Sequence, residues 1–284
     1  MEETPLVKLG QFGLLTVFAK LENENPSGSI KYRTVSKMLD EAQKSGALRK
    51  GMQLIEISSG NTGIALALRG KQLGYPVTVL TVKDATETSK ALIKGYGAEL
   101  VEVDGWFADA GKLVKEKMEK EPGKWFQPMQ ISNPASLESN HDLGIEILDQ
   151  FKEILQGNID IYVGSASTGS TLTGVGKALK EANPETVVYR VLPKAEYRYP
   201  GVDDEGVSTV PLPLYDEHIV DKRIRVEESV AVDSARELHR SYGHAVGISS
   251  GADFAAVKEI SKFENGNCII IFPDSGDRYD ILRG

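Results

Sequence analysis

Lys31 stands at the head of a predicted helix, directly behind the turn Asn25-Pro26-Ser27-Gly28-Ser29-Ile30. Pro26 and Gly28 punctuate the turn, Ser27 or Ser29 offers an N-cap hydroxyl, and apolar Ile30, Val35, Met38 and Leu39 follow at helical spacing. Lysines usually collect at the other end of a helix, because the partial positive charge at the N-terminus disfavours the ammonium form. A lysine that gives up its proton more easily is a better nucleophile, and an amine nucleophile points to Schiff-base chemistry. By itself the segment reads better as a solvated surface lysine that happens to fall there. The other polar loops of the chain have to decide.

Four such loops stand between apolar runs and helical patterns. Ser58-Ser59-Gly60-Asn61-Thr62-Gly63 follows the strand-like run 53–57, and its amides and hydroxyls suit a carboxylate held by neutral donors. An N-capped helix with a glycine turn is the ordinary alternative. Gly164-Ser165-Ala166-Ser167-Thr168-Gly169-Ser170-Thr171 follows the run 159–163 and is denser in donors, which suits a phosphate. It is neither a Walker loop nor a dinucleotide fingerprint, so a mononucleotide or a phosphorylated cofactor fits better. Pro273-Asp274-Ser275-Gly276-Asp277-Arg278-Tyr279 follows the run 268–272, and Gly247-Ile248-Ser249-Ser250-Gly251 reads as a small-residue turn before a helix. Together the four loops outline one crevice.

Loops of this kind need a scaffold of strands and helices. Strand signals cover 53–57, 77–82, 99–103, 159–163, 187–192 and 268–272. Helix signals cover 62–73, 86–96, 106–120, 137–155, 171–181, 228–242 and 252–263. Strands alternating with helices of this length imply α/β architecture, with parallel sheets covered on both faces and ligands at the carboxyl ends of strands. The strand series pauses near 126–134, which divides the chain into two halves. Residues 193–221, with Pro200, Pro211, Pro213 and the acidic run Asp203-Asp204-Glu205, read as a long surface loop.

Composition narrows the function classes. The 284 residues suffice for two modest domains, and 40% hydrophobic with 26% charged residues is ordinary for a globular enzyme. A net charge of -8 argues against nucleic acid or an anionic membrane as partner. The single cysteine, Cys268, lies in an apolar run and reads as a buried hydrophobe. The four histidines show no ligand spacing, so no metal is expected. The start of the chain lacks the basic and apolar regions of a signal peptide, and a cytoplasmic setting is expected.

Taken in order, these motifs resemble the fold-type II pyridoxal-phosphate enzymes, and among them the cysteine synthases (O-acetylserine or O-phosphoserine sulfhydrylases). The resemblance is nearly full length. It runs from Thr4-Pro5-Leu6-Val7-Lys8-Leu9 through Asn25 to Lys31, Ser58 to Gly63 and Gln130-Ile131-Ser132-Asn133-Pro134. It continues through Ser167 to Gly176 and Gly247 to Gly251, and ends at Pro273 to Tyr279. It implies a tryptophan synthase β-like fold of two doubly wound domains with mainly parallel sheets. The smaller would span 28–132, and the larger 1–27 plus 133–284.

The resemblance further implies that Lys31 forms the Schiff base with pyridoxal 5'-phosphate and acts as general base. Asn61 would bond the ring hydroxyl. Ser58, Ser59, Gly60, Asn61 and Thr62, with Gln130, would hold the substrate's carboxylate. Ser167, Thr168, Gly169, Ser170 and Thr171 would form the phosphate cup, and Ser275 would face the ring nitrogen. A neutral hydroxyl there makes a weaker electron sink than a carboxylate, which suits loss of a β-substituent better than transamination. The implied reaction is β-replacement on an activated serine by sulfide or another small nucleophile, in a homodimer that binds small molecules only.

The chain departs from the family pattern at three places. Tyr32 follows the lysine where an acid is usual, and Ser167 and Ser170 replace glycines. Tyr199-Pro200-Gly201-Val202-Asp203-Asp204-Glu205-Gly206 stands where a glycine-rich segment is usual. No regulatory domain is expected after Gly284, which sets the chain apart from cystathionine β-synthases. A serine/threonine deaminase-like lyase and a catalytically weak paralogue with a binding role share the same residues and stay open.

Overall fold

The computed structural model describes residues 2–83, 85–105, 107–194, 199–203 and 212–282. The polypeptide forms two compact units, Asn25–Ser136 and, from two stretches of chain, Met1–Glu24 with Leu137–Gly284.

The 25–136 unit holds helices α1 (Lys31–Lys44), α2 (Asn61–Leu73), α3 (Glu87–Gly95) and α4 (Phe107–Lys120). Its strands are β3 (Gln53–Ile57), β4 (Val77–Val82), β5 (Glu99–Val103) and β6 (Trp125–Phe126). The strand order is β5-β4-β3-β6 and every pairing is parallel. Parallel neighbours require crossovers, which α2, α3 and α4 supply. Val-Thr-Val-Leu-Thr-Val of β4 is buried at five of six positions, as expected of a central strand covered on both faces. The core gathers Leu54, Ile64, Leu66 and Val79 with the inner face of α1, Val35, Met38 and Leu39.

The other unit is built on a six-stranded sheet in the order β1-β2-β10-β7-β8-β9. It uses β1 (Leu6–Phe12), β2 (Leu14–Lys20), β7 (Ile161–Ser165), β8 (Val187–Pro193), β9 (Lys222–Val226) and β10 (Asn265–Ile271). Only the β1–β2 hairpin is antiparallel. Helices α5 (Pro134–Ile154), α6 (Ser170–Ala182), α7 (Glu228–Tyr242) and α8 (Ile248–Ile260) complete the fold. α8 is apolar nearly all round, with Ile248, Ala252, Phe254, Ala256, Val257 and Ile260 buried, so it is a core helix. Among the described residues no helix is long and apolar enough to cross a membrane.

The structure corrects several boundaries. The strand expected at 159–163 lies at Ile161–Ser165, so Gly164 and Ser165 belong to β7 and not to the loop. Ile248 to Gly251 form the first turn of α8, where a turn before a helix was expected. β1, β2, β6 and β9 went unpredicted. β9 reads Lys-Arg-Ile-Arg-Val, and its charges mark a sheet edge rather than an alternating strand. Within the expected loop at 193–221, Tyr199 and Val202 form a bridge and residues 217–219 a 3-10 turn. Residues 195–198 and 204–211, with most of the acidic run, lie outside the described residues.

Candidate active site

Lys31 is the first residue of α1 and half-buried. The turn before it closes through a hydrogen bond from the Gly28 N–H to the Asn25 carbonyl at 2.6 Å, with Gly28 at φ 70°. No L side chain adopts that φ easily, so glycine is required there. The N-cap differs from expectation. Ile30 occupies it, no side chain caps the helix, and neither Ser27 nor Ser29 does so. The Ser27 hydroxyl donates to the Ser29 carbonyl at 3.5 Å, while the Ser29 hydroxyl is buried with no hydrogen-bond partner. A buried orphan hydroxyl two residues before a nucleophilic lysine is a place where a polar ligand would be satisfied.

In the same unit, the Ser58 to Gly63 loop leads from β3 into α2. Ser58 is buried, and its hydroxyl accepts from the Gly60 N–H at 3.2 Å and the Gly63 N–H at 2.9 Å. Ser58 therefore shapes the loop from inside. Gly60 is the N-cap of α2 and has no side chain of its own, while Ser58 Oγ takes up the Gly63 N–H of the first turn. The amides of a helix N-terminus attract an anion. Beside them Thr62 donates its hydroxyl to the Gln130 side-chain carbonyl, joining residues 68 apart in sequence. Ser59 is exposed, and Gly60 and Asn61 are half-buried.

In the other unit, Ser167, Thr168, Gly169, Ser170 and Thr171 enter α6. Gly169 is the N-cap at φ 81°, and again no side chain caps the helix. The Thr168 and Ser170 hydroxyls lie 3.3 Å apart, and Asn140 Nδ2 donates to Ser170 Oγ at 3.4 Å. Uncapped amides and clustered hydroxyls at one helix end form a neutral, donor-rich cradle that fits a phosphate ester. Ser275 sits in a segment that pairs with Val246. Its hydroxyl donates to Asp277 Oδ2 at 3.3 Å and accepts from the Asp277 N–H at 3.4 Å. Its neighbour Asp274 is buried and accepts from the Tyr279 hydroxyl at 2.6 Å, and the Asp274 carbonyl accepts from the Gly247 N–H at 3.0 Å.

Chain comparison decides which chemistry these features serve. The pattern of the pyridoxal-phosphate dependent enzymes matches residues 1–274. The chain belongs to this family. It is 35% identical to cysteine synthase A of Escherichia coli over 97% of its own length and 90% of that protein's. It superposes on cysteine synthase from Entamoeba histolytica with a TM-score of 0.89 and 30% identity, covering 100% of this chain and 89% of that one. A hydrogen sulfide-producing enzyme of Fusobacterium nucleatum gives a TM-score of 0.89 at 28% identity, covering 97% and 94%. The protein is therefore a pyridoxal 5'-phosphate enzyme of fold type II.

Two buried acids escaped the sequence reasoning. Glu56 lies in Leu-Ile-Glu-Ile of β3, only 3% exposed. Asp253 lies in α8, fully buried, and accepts from both the N–H and the hydroxyl of Ser165 at the end of β7. The available signal was an acid isolated in an apolar run just before, or packed beneath, a donor-rich loop. Burial pushes the Asp253 carboxyl well above its usual range, and the Ser165 hydrogen bonds oppose this without cancelling it. Its folded pKa thus exceeds its unfolded one. The stability it contributes is complete below the ordinary aspartate range and is lost as pH rises towards the folded value. Asp253→Asn should leave the melting temperature unchanged at about pH 4 and raise it relative to the parent increasingly towards pH 8. Melting curves across that range check it.

Proposed function

We propose that the protein replaces the β-substituent of an activated L-serine, such as O-acetyl-L-serine or O-phospho-L-serine, by sulfide to give L-cysteine. The observation that carries this is the glycine-led start of α2 with the Thr62–Gln130 pair beside it. Neutral donors in that arrangement suit an amino acid's carboxylate without adding positive charge.

Ser167, Thr168, Gly169, Ser170 and Thr171 would hold the cofactor's phosphate, Asn61 its ring hydroxyl and Ser275 its ring nitrogen. Bound pyridoxal 5'-phosphate supplies the electron sink that lets bonds at the substrate's α-carbon break heterolytically. Lys31 holds the cofactor between turnovers, and its Nζ takes the proton from the α-carbon. Thr62 and Gln130 orient the carboxylate so that the α-proton points towards that amine. Ser58 keeps the loop in shape through the Gly60 and Gly63 amides. We expect a homodimer in a cytoplasmic setting.

The test supplies purified, cofactor-loaded protein with sulfide and, separately, O-acetyl-L-serine, O-phospho-L-serine, L-serine and L-threonine. Cysteine formed from one of the serine compounds is the expected result. Pyruvate or 2-oxobutyrate released without sulfide consumption would make the protein a deaminase-like lyase. Failure to take up the cofactor at all would leave only the binding role. Because the Fusobacterium nucleatum neighbour produces hydrogen sulfide, sulfide release from L-cysteine is measured in the same series.

A further inference from the structure

We propose that Glu56 is a positioning residue that holds Gln130 in place for the substrate carboxylate. This rests on the assignment of Thr62 and Gln130 to that carboxylate.

Glu56 is buried in the middle of β3, in the 25–136 unit, and both of its carboxyl oxygens are engaged. Oε1 accepts from the Ile57 N–H at 2.9 Å and from Gln127 Nε2 at 3.2 Å. Oε2 accepts from the Gln130 N–H at 3.3 Å. The Met129 N–H is directed at the same carboxyl. Three of the four donors therefore come from the single turn 127–130, although Glu56 is more than 70 residues away in sequence.

That turn is not one the chain adopts readily. Met129 has φ 58°, and among the described residues no other non-glycine residue has a positive φ. Its side chain is exposed and offers no packing to hold it there. From the far side Asn133 closes the turn, donating its N–H to the Met129 carbonyl at 3.0 Å and its amide NH₂ to the Pro128 carbonyl at 2.8 Å. Glu56 and Asn133 thus clamp a strained turn whose product is the position of Gln130. The Gln130 side chain then accepts from Thr62 at the start of α2. One buried carboxyl sets both ends of the arrangement, because the strand that carries it runs directly into Ser58 and the α2 loop.

Glu56→Gln tests this with little change of shape. One oxygen becomes an NH₂ that cannot accept, and either orientation breaks a bond. Placing the NH₂ at Oε2 forfeits the Gln130 bond directly, and at Oε1 it forfeits the Ile57 and Gln127 bonds that hold the same turn, so the variant should loosen Gln130 either way. The measurement is the change in the near-visible cofactor band of the holoprotein on titration with O-acetyl-L-serine. Glu56→Gln should keep the band itself and raise the half-saturating concentration about tenfold, about 1.4 kcal/mol. Gln130→Ala should do the same, and the double variant no more than either alone. In steady state the KM for the amino acid should rise while kcat changes less than threefold. In the parent protein the Gln130 amide should exchange slowly, a measurement that needs no variant.

A half-saturating concentration within twofold of the parent in Glu56→Gln, with Gln130→Ala impaired, would overturn the role of Glu56 alone. So would a fast-exchanging Gln130 amide. Unimpaired binding in Gln130→Ala would remove the carboxylate assignment and the inference with it.

Discussion

Lys31→Ala is expected to abolish the near-visible absorbance that the parent protein shows with pyridoxal 5'-phosphate, and to lower turnover by at least about 10³-fold. The size of the effect follows from two roles falling on one atom. In the proposed mechanism Nζ of Lys31 both holds the cofactor and moves the proton at the substrate's α-carbon, so its loss removes both functions at once. The change should cost little stability. Lys31 is half-buried at the first position of α1, and that helix is anchored by Val35, Met38 and Leu39 on its inner face, not by the lysine. A folded, colourless and inactive protein is therefore the predicted outcome, read by absorbance, thermal melting and turnover on one preparation. Loss of activity with the absorbance intact would put the cofactor on another lysine.

Gly169→Ala should have the next largest effect, and for a different physical reason. At φ 81° the glycine is left-handed, where an L side chain costs about 1–2 kcal/mol. A Cβ there would also stand 2.4 Å from Cβ and 3.0 Å from Cα of Tyr215, too close for either to remain in place. The Tyr215 ring is itself held, stacked under the buried Arg190 guanidinium with 4.6 Å from Cζ to the ring centroid. The strain therefore falls on the α6 entry, the loop proposed to hold the phosphate. Affinity for pyridoxal 5'-phosphate should fall about tenfold to a hundredfold, that is by about 1.4 to 2.8 kcal/mol. Affinity for pyridoxal, which lacks the phosphate, should change little. Equal weakening of both would mean that the loop serves the fold and not the anion.

Much of the scaffold is legible in the sequence because burial leaves a plain signature. The bounds of β3 and β4 coincide with their apolar runs, those of the half-buried edge strand β5 with its predicted run, and α7 coincides with its helical pattern. The failures have local causes. β9 is an edge strand with Lys222, Arg223 and Arg225 on it, so its hydrophobic alternation is hidden. The first turn of α8, Ile-Ser-Ser-Gly, looks like a loop because small residues are there to permit close packing rather than to turn the chain.

The site is legible as a set of loops but not as a set of contacts. Two serines near Lys31 are good caps by type, yet neither caps α1, since hydroxyl direction is set by the folded turn. Ser58 matches the substrate loop by position, while its hydroxyl is turned inward to two amides. Glu56 is an acid in an apolar strand, and its purpose appears only when residues 127–130 are folded back over it.

The most direct test of the central claim is to reduce the cofactor-loaded protein with borohydride and map the product by peptide mass spectrometry. Lys31 as cofactor lysine predicts one pyridoxyl group per chain, on the peptide that contains Lys31 and with cleavage blocked at that residue. A pyridoxyl group on any other lysine, or none on a chain that still makes cysteine, would contradict it.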